Sequence, residues 1–260
     1  MSESIATPYR IAISFGSQEY AYSLARHTSE FEKSGLFQKV IGYTQKDLGK
    51  EFVQAHRSFF SKNKRGFGYW LWKPYLIWKT LETMEDGQTL IYSDAGCTLM
   101  LESTDKFREF IEDFEKSGKI LNCASEGYCR LPILVKADLF HYMNIYDIDS
   151  YMNLPEIESG RLIFRKCPES IAFVKEWYRI GCDDNYHYID DSPSKTPNVS
   201  LFHEHRHDQS ILSLLCYTRG IIPFGDYKYI ASYVWVATRE RYDPTITENM
   251  SQSHSANQAI

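Results

Sequence analysis

The sequence predicts one α/β domain in which helices flank a central mixed sheet. A chain of 260 residues with 43% hydrophobic and 15% aromatic residues is large enough to bury one substantial core. Short apolar runs bounded by glycine and polar residues alternate with longer segments of helical character. The first such segments have the spacing of a β-α-β crossover between parallel strands. We expect the domain to span residues 1–244.

The elements of the first third follow from apolar runs and their stop signals. RIAISF is a buried first strand that ends at Gly16, and Gly35 stops the helix that follows. The segment KRGFG is basic and rich in glycine, so we expect a flexible break there. The predicted elements are strand 10–15, helix 19–33, strand 39–44, helix 47–62 and the break at 64–68.

The next helix and strand lead to a short acidic loop. Pro74 suits the first turn of a helix that ends before Gly87, and residues 89–92 form an apolar strand. Asp94 therefore lies just past the carboxyl end of a strand, where open α/β sheets bind their ligands. The plainer interpretation is an aspartate that caps a turn.

The second half repeats the alternation less clearly. The segment 183–204 is polar and longer than a simple connection between two elements needs to be, so we expect a mobile active-site loop. Residues 245–260 are polar without periodicity and are expected to be disordered. The predicted elements are helix 104–116, strand 119–124, helix 138–144, strand 161–166, helix 169–180 and helix 207–218.

Composition excludes several classes of protein. The chain has 29 Lys and Arg against 34 Asp and Glu, without the basic excess of a nucleic-acid-binding protein. Its 6 cysteines form no CxxC pair and are expected to be reduced thiols. No apolar run approaches the length of a membrane span, and residues 1–10 lack a signal-peptide pattern. We expect a cytoplasmic protein, peripheral to a membrane at most, with no nucleic-acid partner.

Three motifs together resemble GT-A glycosyltransferases. LWKPYLIWKTLE followed by GQTLIYSDAGC resembles the DxD region, above all that of bacterial and viral polysaccharide-type enzymes with a DAG sequence. HRHDQSILSLL, from His205 to Leu215, resembles the late helix start of retaining enzymes. ESGRLIF, from Glu158 to Phe164, resembles the loop and strand beside the donor sugar. The order of the three motifs weighs more than any one of them.

The resemblance implies a Rossmann-like GT-A fold and a hexosyl- or pentosyltransferase. Its substrates would be a nucleotide-sugar donor and a carbohydrate, glycolipid or glycoprotein acceptor. It implies that Asp208 and Gln209 are the catalytic residues and face the donor sugar. The implied donor-binding residues are Phe15, Gly16, Lys73, Asp94, Ala95, Gly96, Glu158, Ser159 and Gly160.

The helical pattern supports an inward Asp208. Asp208 shares a stripe with Ile211, Leu212 and Leu215 at i+3, i+4 and i+7. It would bind a sugar hydroxyl or, in an inverting enzyme, act as the base for the acceptor hydroxyl. A retaining enzyme would instead place Gln209 near the anomeric carbon. Without the resemblance, an acid that stabilises the helix dipole is the plainer interpretation.

One departure from the family leaves the metal open. The second acid of a DxD motif is Gly96 here, so a carboxylate pair cannot hold Mn²⁺ or Mg²⁺ in the usual way. Either Asp94 shares the ion with His205 or His207, or a cation of the protein neutralises the leaving diphosphate. The candidates for that cation are Lys73, Arg65 and Lys64.

Other functions fit the sequence less well. The main alternative is a GT-A-like protein that binds sugar nucleotides or carbohydrates without turnover. A nucleotidyltransferase would need an early glycine-rich basic loop, which GSQEYAYSL lacks. A dinucleotide-dependent enzyme would need G-x-G-x-x-G after a strand. The aromatic residues Phe67, Tyr69, Trp70 and Trp72 are expected to contribute one or two stacking contacts to a ligand and otherwise to pack in the core.

Overall fold

The computed structural model describes residues 9–222 and 227–239. A five-stranded sheet with strand order β2-β1-β3-β6-β5 forms its centre. β1 runs parallel to β2 and β3, whereas β6 is antiparallel to both β3 and β5. The predicted central mixed sheet flanked by helices is confirmed. The predicted tail at 245–260 lies outside the described residues.

The strands follow the predicted apolar runs in the first half and extend beyond them in the second. β1, β2 and β3 lie within one residue of the predicted bounds. β6 is longer than predicted, and residues 158–160 belong to this strand instead of a loop before it. The strands are β1 Arg10–Phe15, β2 Lys39–Tyr43, β3 Thr89–Ser93, β4 Thr98–Leu99, β5 Leu121–Arg130, β6 Pro155–Arg165 and β7 Trp235–Val236.

Ten α-helical segments of widely differing length connect the strands in the described part of the chain. The predicted helix 47–62 begins only at Lys50, because Gly49 adopts a positive φ of 75°. It is divided into α2 and α3 at His56, which has a φ of -107° and a ψ of 10°. The helices are α1 Ala21–Lys33, α2 Lys50–Ala55, α3 Arg57–Lys62, α4 Gly66–Tyr69, α5 Trp72–Glu82, α6 Thr104–Ser117, α7 Ala137–Tyr142, α8 Pro168–Tyr186, α9 His207–Thr218 and α10 Tyr227–Tyr229.

The sheet separates two apolar cores. Along β1, Ile11 and Ile13 face one core, whereas Ala12 faces the other, as the alternation of side chains in a strand requires. Helices α5, α8 and α9 cover the first face, and α1, α6 and a π-helical segment at Ile230–Val234 cover the second. Both faces of the sheet are therefore buried, in keeping with the nearly continuous apolar runs of β1 and β3.

A small second sheet closes the second core. β4 pairs antiparallel with β7, and Trp235 of β7 is fully buried and donates from Nε1 to Ser93 Oγ over 2.9 Å. Sequence patterning did not predict this pair, because each strand has two residues. In the described part of the chain, no helix has the length and apolar character that a membrane crossing requires.

The long polar segment 183–204 is anchored by side-chain hydrogen bonds. α8 loses helical geometry at Asp183, and Asp184 and Asn185 have positive φ. Asp138 on α7 accepts from His187 Nε2 over 2.6 Å and from the amide of Lys195, also over 2.6 Å. These bonds fix the segment against the amino end of α7.

Candidate active site

Lys73 lies between two carboxylates at the carboxyl end of β3. Its Nζ is 3.3 Å from Asp94 Oδ1, 3.1 Å from Asp208 Oδ2 and 3.0 Å from Ser159 Oγ. Nζ donates a hydrogen bond to Ser159 Oγ and forms ion pairs with the two carboxylates, and Asp208 Oδ2 is buried without a hydrogen-bond partner. The Lys73 side chain is 2% exposed, that of Asp208 is 4% exposed and that of Asp94 is 37% exposed. Asp94 is therefore the member of the cluster that a ligand reaches from solvent.

Asp94 is held by its neighbours in β3 and β6. Tyr92 donates its hydroxyl to Asp94 Oδ1 over 2.5 Å, and the Asp94 amide donates to the Gly160 carbonyl over 2.8 Å. A Cβ at position 160 would lie 2.9 Å from Asp94 Oδ2, so glycine there leaves the space that the carboxylate occupies. The pKa of Tyr92 is raised well above its ordinary value by burial and by the Asp94 charge, so the phenol remains a donor.

A left-handed turn places Lys73. Phe67, Tyr69 and Trp70 all have positive φ, a conformation that costs about 1–2 kcal/mol for each residue with a side chain. The predicted flexible break is thus a strained turn directly before α5. Gly68 in the same turn also has positive φ, and a Cβ there would meet the Phe60 ring at 2.2 Å. Strain of this kind is found mostly where the surrounding structure fixes a functional group.

Asp208 points inward, as predicted from its stripe on α9. Its backbone carbonyl accepts from Trp177 Nε1 over 2.8 Å, which anchors the start of α9 to α8. Burial raises the pKa of the Asp208 carboxyl, although Lys73 and Ser159 oppose the shift. For Lys73, burial alone would lower the pKa, but the two carboxylates outweigh it and the pKa is raised. The ammonium is charged, and it compensates only in part for burying Asp208.

Gln209 contacts β6 at both ends of its amide. Its Oε1 accepts from the Ser159 amide over 3.3 Å, and its Nε2 donates to Glu156 Oε2 over 2.7 Å. Glu156 is fully buried and also accepts from Arg206 Nη1 over 3.0 Å. In this structure Gln209 thus fixes the strand that supplies Ser159, and its predicted place beside the donor sugar stays a prediction.

The predicted donor-binding residues of β1 and of the DAG loop have packing roles. Phe15 is buried and stacks on Trp72 with ring centroids 3.9 Å apart. A Cβ on Gly16 would lie 2.9 Å from Leu24 Cβ, so glycine allows α1 to approach β1. Ala95 is buried, and the Gly96 carbonyl accepts from the Arg239 amide over 2.7 Å. Contacts of these four residues with a donor stay predictions.

Glu158 is engaged by a neighbouring arginine. Arg161 Nε donates to Glu158 Oε2 over 3.0 Å, and Arg161 Nη1 donates to the Ala231 carbonyl over 2.9 Å. The Glu158 side chain is 18% exposed. Arg161 thereby joins β6 to the π-helical segment that covers the second core, and the Glu158 carboxylate compensates the charge of the Arg161 guanidinium.

His205 and His207 contact other parts of the described chain, and their predicted sharing of a cation with Asp94 stays a prediction. His205 uses both ring nitrogens, one facing the Lys136 amide at 3.3 Å and one facing the Tyr188 carbonyl at 3.0 Å. His207 Nδ1 donates to the Ile189 carbonyl over 2.8 Å, and its ring stacks on Tyr69. Burial lowers the pKa of both imidazoles. Each imidazole is therefore neutral, and Nε2 of His207 is buried without a hydrogen-bond partner.

The donor set around Asp94 does not fit Mn²⁺ or Mg²⁺ held by the protein. Lys73 fills the space between the two carboxylates, and Gly96 supplies no side-chain oxygen. Within residues 9–222 and 227–239, no group of three or more His, Cys, Asp and Glu side chains has the geometry of a metal site. A divalent cation needs several oxygen ligands, which this cluster does not offer.

The other candidate cations lie toward the surface. Arg65 is 52% exposed and approaches Asp191 and Glu204 at 3.8 Å each. Lys64 is exposed. Asp191 also lies 3.7 Å from His207 Nε2, so Arg65 stands at the rim near the start of α9.

The structure brings together Lys73, Asp94, Ser159, Gly160 and Asp208 from the predicted set. Sequence reasoning missed Tyr92, Glu156 and Trp177, which orient that group. The signal for Glu156 was an acid at an inward position of an apolar strand, since buried acids are rare without a partner. Nothing in the sequence pairs Tyr92 with Asp94, because alternate residues of a regular strand point to the same face without identifying a contact.

Comparisons with known proteins give a structural likeness. No family model matches the chain, and no curated protein does. One solved structure with similarity is mouse xyloside xylosyltransferase 1 in its apo form, with a TM-score of 0.45, 14% identity, and coverage of 87% of this chain and 91% of that chain. Another is a glycosyltransferase involved in the glycosylation of the major capsid of PBCV-1, with a TM-score of 0.40, 9% identity and coverage of 68% of each chain. Both TM-scores lie below 0.5, so neither likeness supports an argument about function. The residues of the candidate active site have to carry that argument.

Proposed function

We propose that this chain is a glycosyltransferase that moves a sugar from a nucleotide-sugar donor to a hydroxyl of a carbohydrate or glycoconjugate acceptor. The observation behind the proposal is the cluster in which Lys73 joins Asp94 to Asp208 at the carboxyl end of β3. Two carboxylates in contrasting environments, one buried and one exposed, are an arrangement that enzymes use to divide roles between acids. The three sequence motifs meet in this cluster.

Asp94 is the group that contacts the donor. Its Oδ1 is occupied by Tyr92 and Lys73, Oδ2 lies over Gly160, and the side chain as a whole is 37% exposed. A carboxylate oriented in this way accepts hydrogen bonds from sugar hydroxyls with little loss of freedom on binding. Lys73 holds the Asp94 carboxylate in place through their ion pair, so it acts as a positioning residue and does not reach the diphosphate.

Asp208 and Ser159 both contact Lys73, the residue that pairs with Asp94. A buried carboxylate with a raised pKa accepts a proton more readily than an exposed one, which is the property of a general base. Its low exposure in this structure means that the acceptor hydroxyl reaches Asp208 only if the cluster opens. Arg65 at the rim is the exposed cation that we assign to the charge of the leaving diphosphate.

One observation favours the alternative of ligand binding without turnover. The side chains of Lys73 and Asp208 are closed to solvent, and Lys73 pairs with carboxylates of the protein itself. A protein of this kind would bind a sugar nucleotide through Asp94 and release it unchanged.

Thermal stability and nucleotide release together test the proposal. The full chain is screened against nucleotide sugars at millimolar concentration, because a ligand that binds the folded state raises the melting temperature. We expect one donor to stabilise the wild type and to release its nucleoside diphosphate when an acceptor is supplied. Asp94→Asn should abolish the stabilisation and slow release at least about 100-fold. Asp86→Asn is the matched control, since Asp86 is 68% exposed and pairs with Lys166.

The outcomes separate the two functions. A wild type that is stabilised by a donor but releases no diphosphate supports binding without turnover. If no nucleotide sugar stabilises the wild type or reacts with it, both the transferase function and the binding function are refuted.

A further inference from the structure

A basic groove lies on the exposed side of the segment that follows β2. It measures about 440 Å³, and its lining includes Lys46, Lys50 and Arg57. Gln45 and Gln54 add two amide side chains, and Val53 is 37% exposed. Lys46 precedes α2, Lys50 begins α2 and Arg57 begins α3, so the three cations come from consecutive segments of the chain that line the groove. The groove therefore presents three cations around a small apolar patch.

The cations of the groove are not neutralised by the protein. In the described part of the chain, no carboxylate forms an ion pair with Lys46, Lys50 or Arg57. Residues 45–65 contain six Lys and Arg against two Asp and Glu, although the whole chain has a formal net charge of -5. Such a local excess attracts anions and makes their binding sensitive to salt.

The groove begins at the same edge of the sheet as the candidate active site. β2, β1 and β3 are parallel neighbours, so their carboxyl ends share one edge. Gln45 lies two residues after β2, and Asp94 directly follows β3. Two strand spacings separate these ends, or about 10 Å. A chain-like ligand can span this distance and place one end at Asp94.

We propose that this groove binds an acidic stretch of the carbohydrate acceptor, with carboxylate or phosphate groups along its sugars. The inference rests on the proposed glycosyl transfer. The two amides favour a glycan over a membrane, because amide groups hydrogen-bond sugar hydroxyls. Separated cations match charges repeated along a chain.

Binding of the full chain to polygalacturonate, an acidic glycan probe, tests the inference without any donor present. We expect the wild type to bind polygalacturonate with an affinity that falls as salt rises, and to bind neutral dextran at least 10-fold more weakly. The variant Lys46→Glu, Lys50→Glu, Arg57→Glu should lose at least 10-fold in affinity for polygalacturonate. The matched control, Lys106→Glu, Arg108→Glu, Lys116→Glu on α6, has the same change in net charge and should lose less than 3-fold.

Three results would overturn the inference. They are equal binding of dextran, an equal loss in the α6 control, and capture by phosphatidylglycerol vesicles without binding of polygalacturonate. The last result would assign the groove to a membrane surface. Circular dichroism of each variant confirms that it is folded. Because turnover of nucleotide sugars is measured separately, a wild type that binds the glycan but has no transferase activity refutes the proposed function and not the binding of the glycan to the groove.

Discussion

Replacing Lys73 by methionine tests the electrostatic design of the site. Methionine replaces the aliphatic part of the lysine side chain and lacks its ammonium group, which leaves the Asp208 carboxylate buried without a counterion. Removing one partner of a buried ion pair costs about 3–5 kcal/mol, whereas loss of the pairing to the half-buried Asp94 adds less than about 1 kcal/mol. We therefore expect Lys73→Met to lower the free energy of unfolding by about 3 kcal/mol at pH 8.

The loss should shrink as the pH falls. Without Lys73, the pKa of Asp208 rises further above that of the unfolded chain, since burial already raises it in the wild type. Between those two pKa values the folded state holds a proton that the unfolded state lacks, so the stability of the variant increases as pH decreases. At pH 5 we expect the difference from wild type to be smaller by about 1–2 kcal/mol.

Urea unfolding at pH 5 and pH 8 measures both effects. The set contains wild type, Lys73→Met, Asp208→Asn and the double variant, and the cycle should give a coupling of about 2 kcal/mol at pH 8. Lys79→Met is the control, because Lys79 is 48% exposed and its loss should change stability by less than about 0.5 kcal/mol. The reasoning is refuted if Lys73→Met costs under 1 kcal/mol by this measurement, or if its cost is the same at both pH values.

Three further changes probe the support of the site. Gly160→Ala should push the Asp94 carboxylate aside and reduce turnover at least about 10-fold, with a change in the free energy of unfolding under about 1 kcal/mol. Gly127→Ala is the control: a Cβ there has no atom within 4 Å, so turnover should be unchanged. Glu156→Gln should lower the unfolding free energy by about 2 kcal/mol, because Arg206 and Gln209 each lose a buried, charged acceptor; an unchanged urea midpoint would contradict this. Burial alone would raise the pKa of Asp138, but its hydrogen bonds lower it from 3.8 to about 2, so wild type should exceed Asp138→Asn by about 2 kcal/mol at pH 7. That advantage should vanish as pH falls from about 4 to about 2, and a difference independent of pH would count against it.

The sequence by itself determined the elements whose signals are local. The apolar run of β1, the strand before Asp94 and the inward stripe of α9 follow from side-chain periodicity, and the structure agrees with them to within one residue. Periodicity also predicted that Asp208 points into the protein. These properties depend on neighbours within a few residues along the chain, which a sequence displays directly.

Only the tertiary structure decided which of these residues meet. Lys73, Asp94 and Asp208 come from α5, the end of β3 and α9, and they converge because β3 lies between β1 and β6 in the sheet. The same arrangement pairs Gln209 with Glu156 and places His205 and His207 against backbone carbonyls, contacts that no sequence motif predicted. Strand order and register depend on burying both faces of the sheet at the same time. That burial involves contacts between residues far apart in the chain, which no single motif displays.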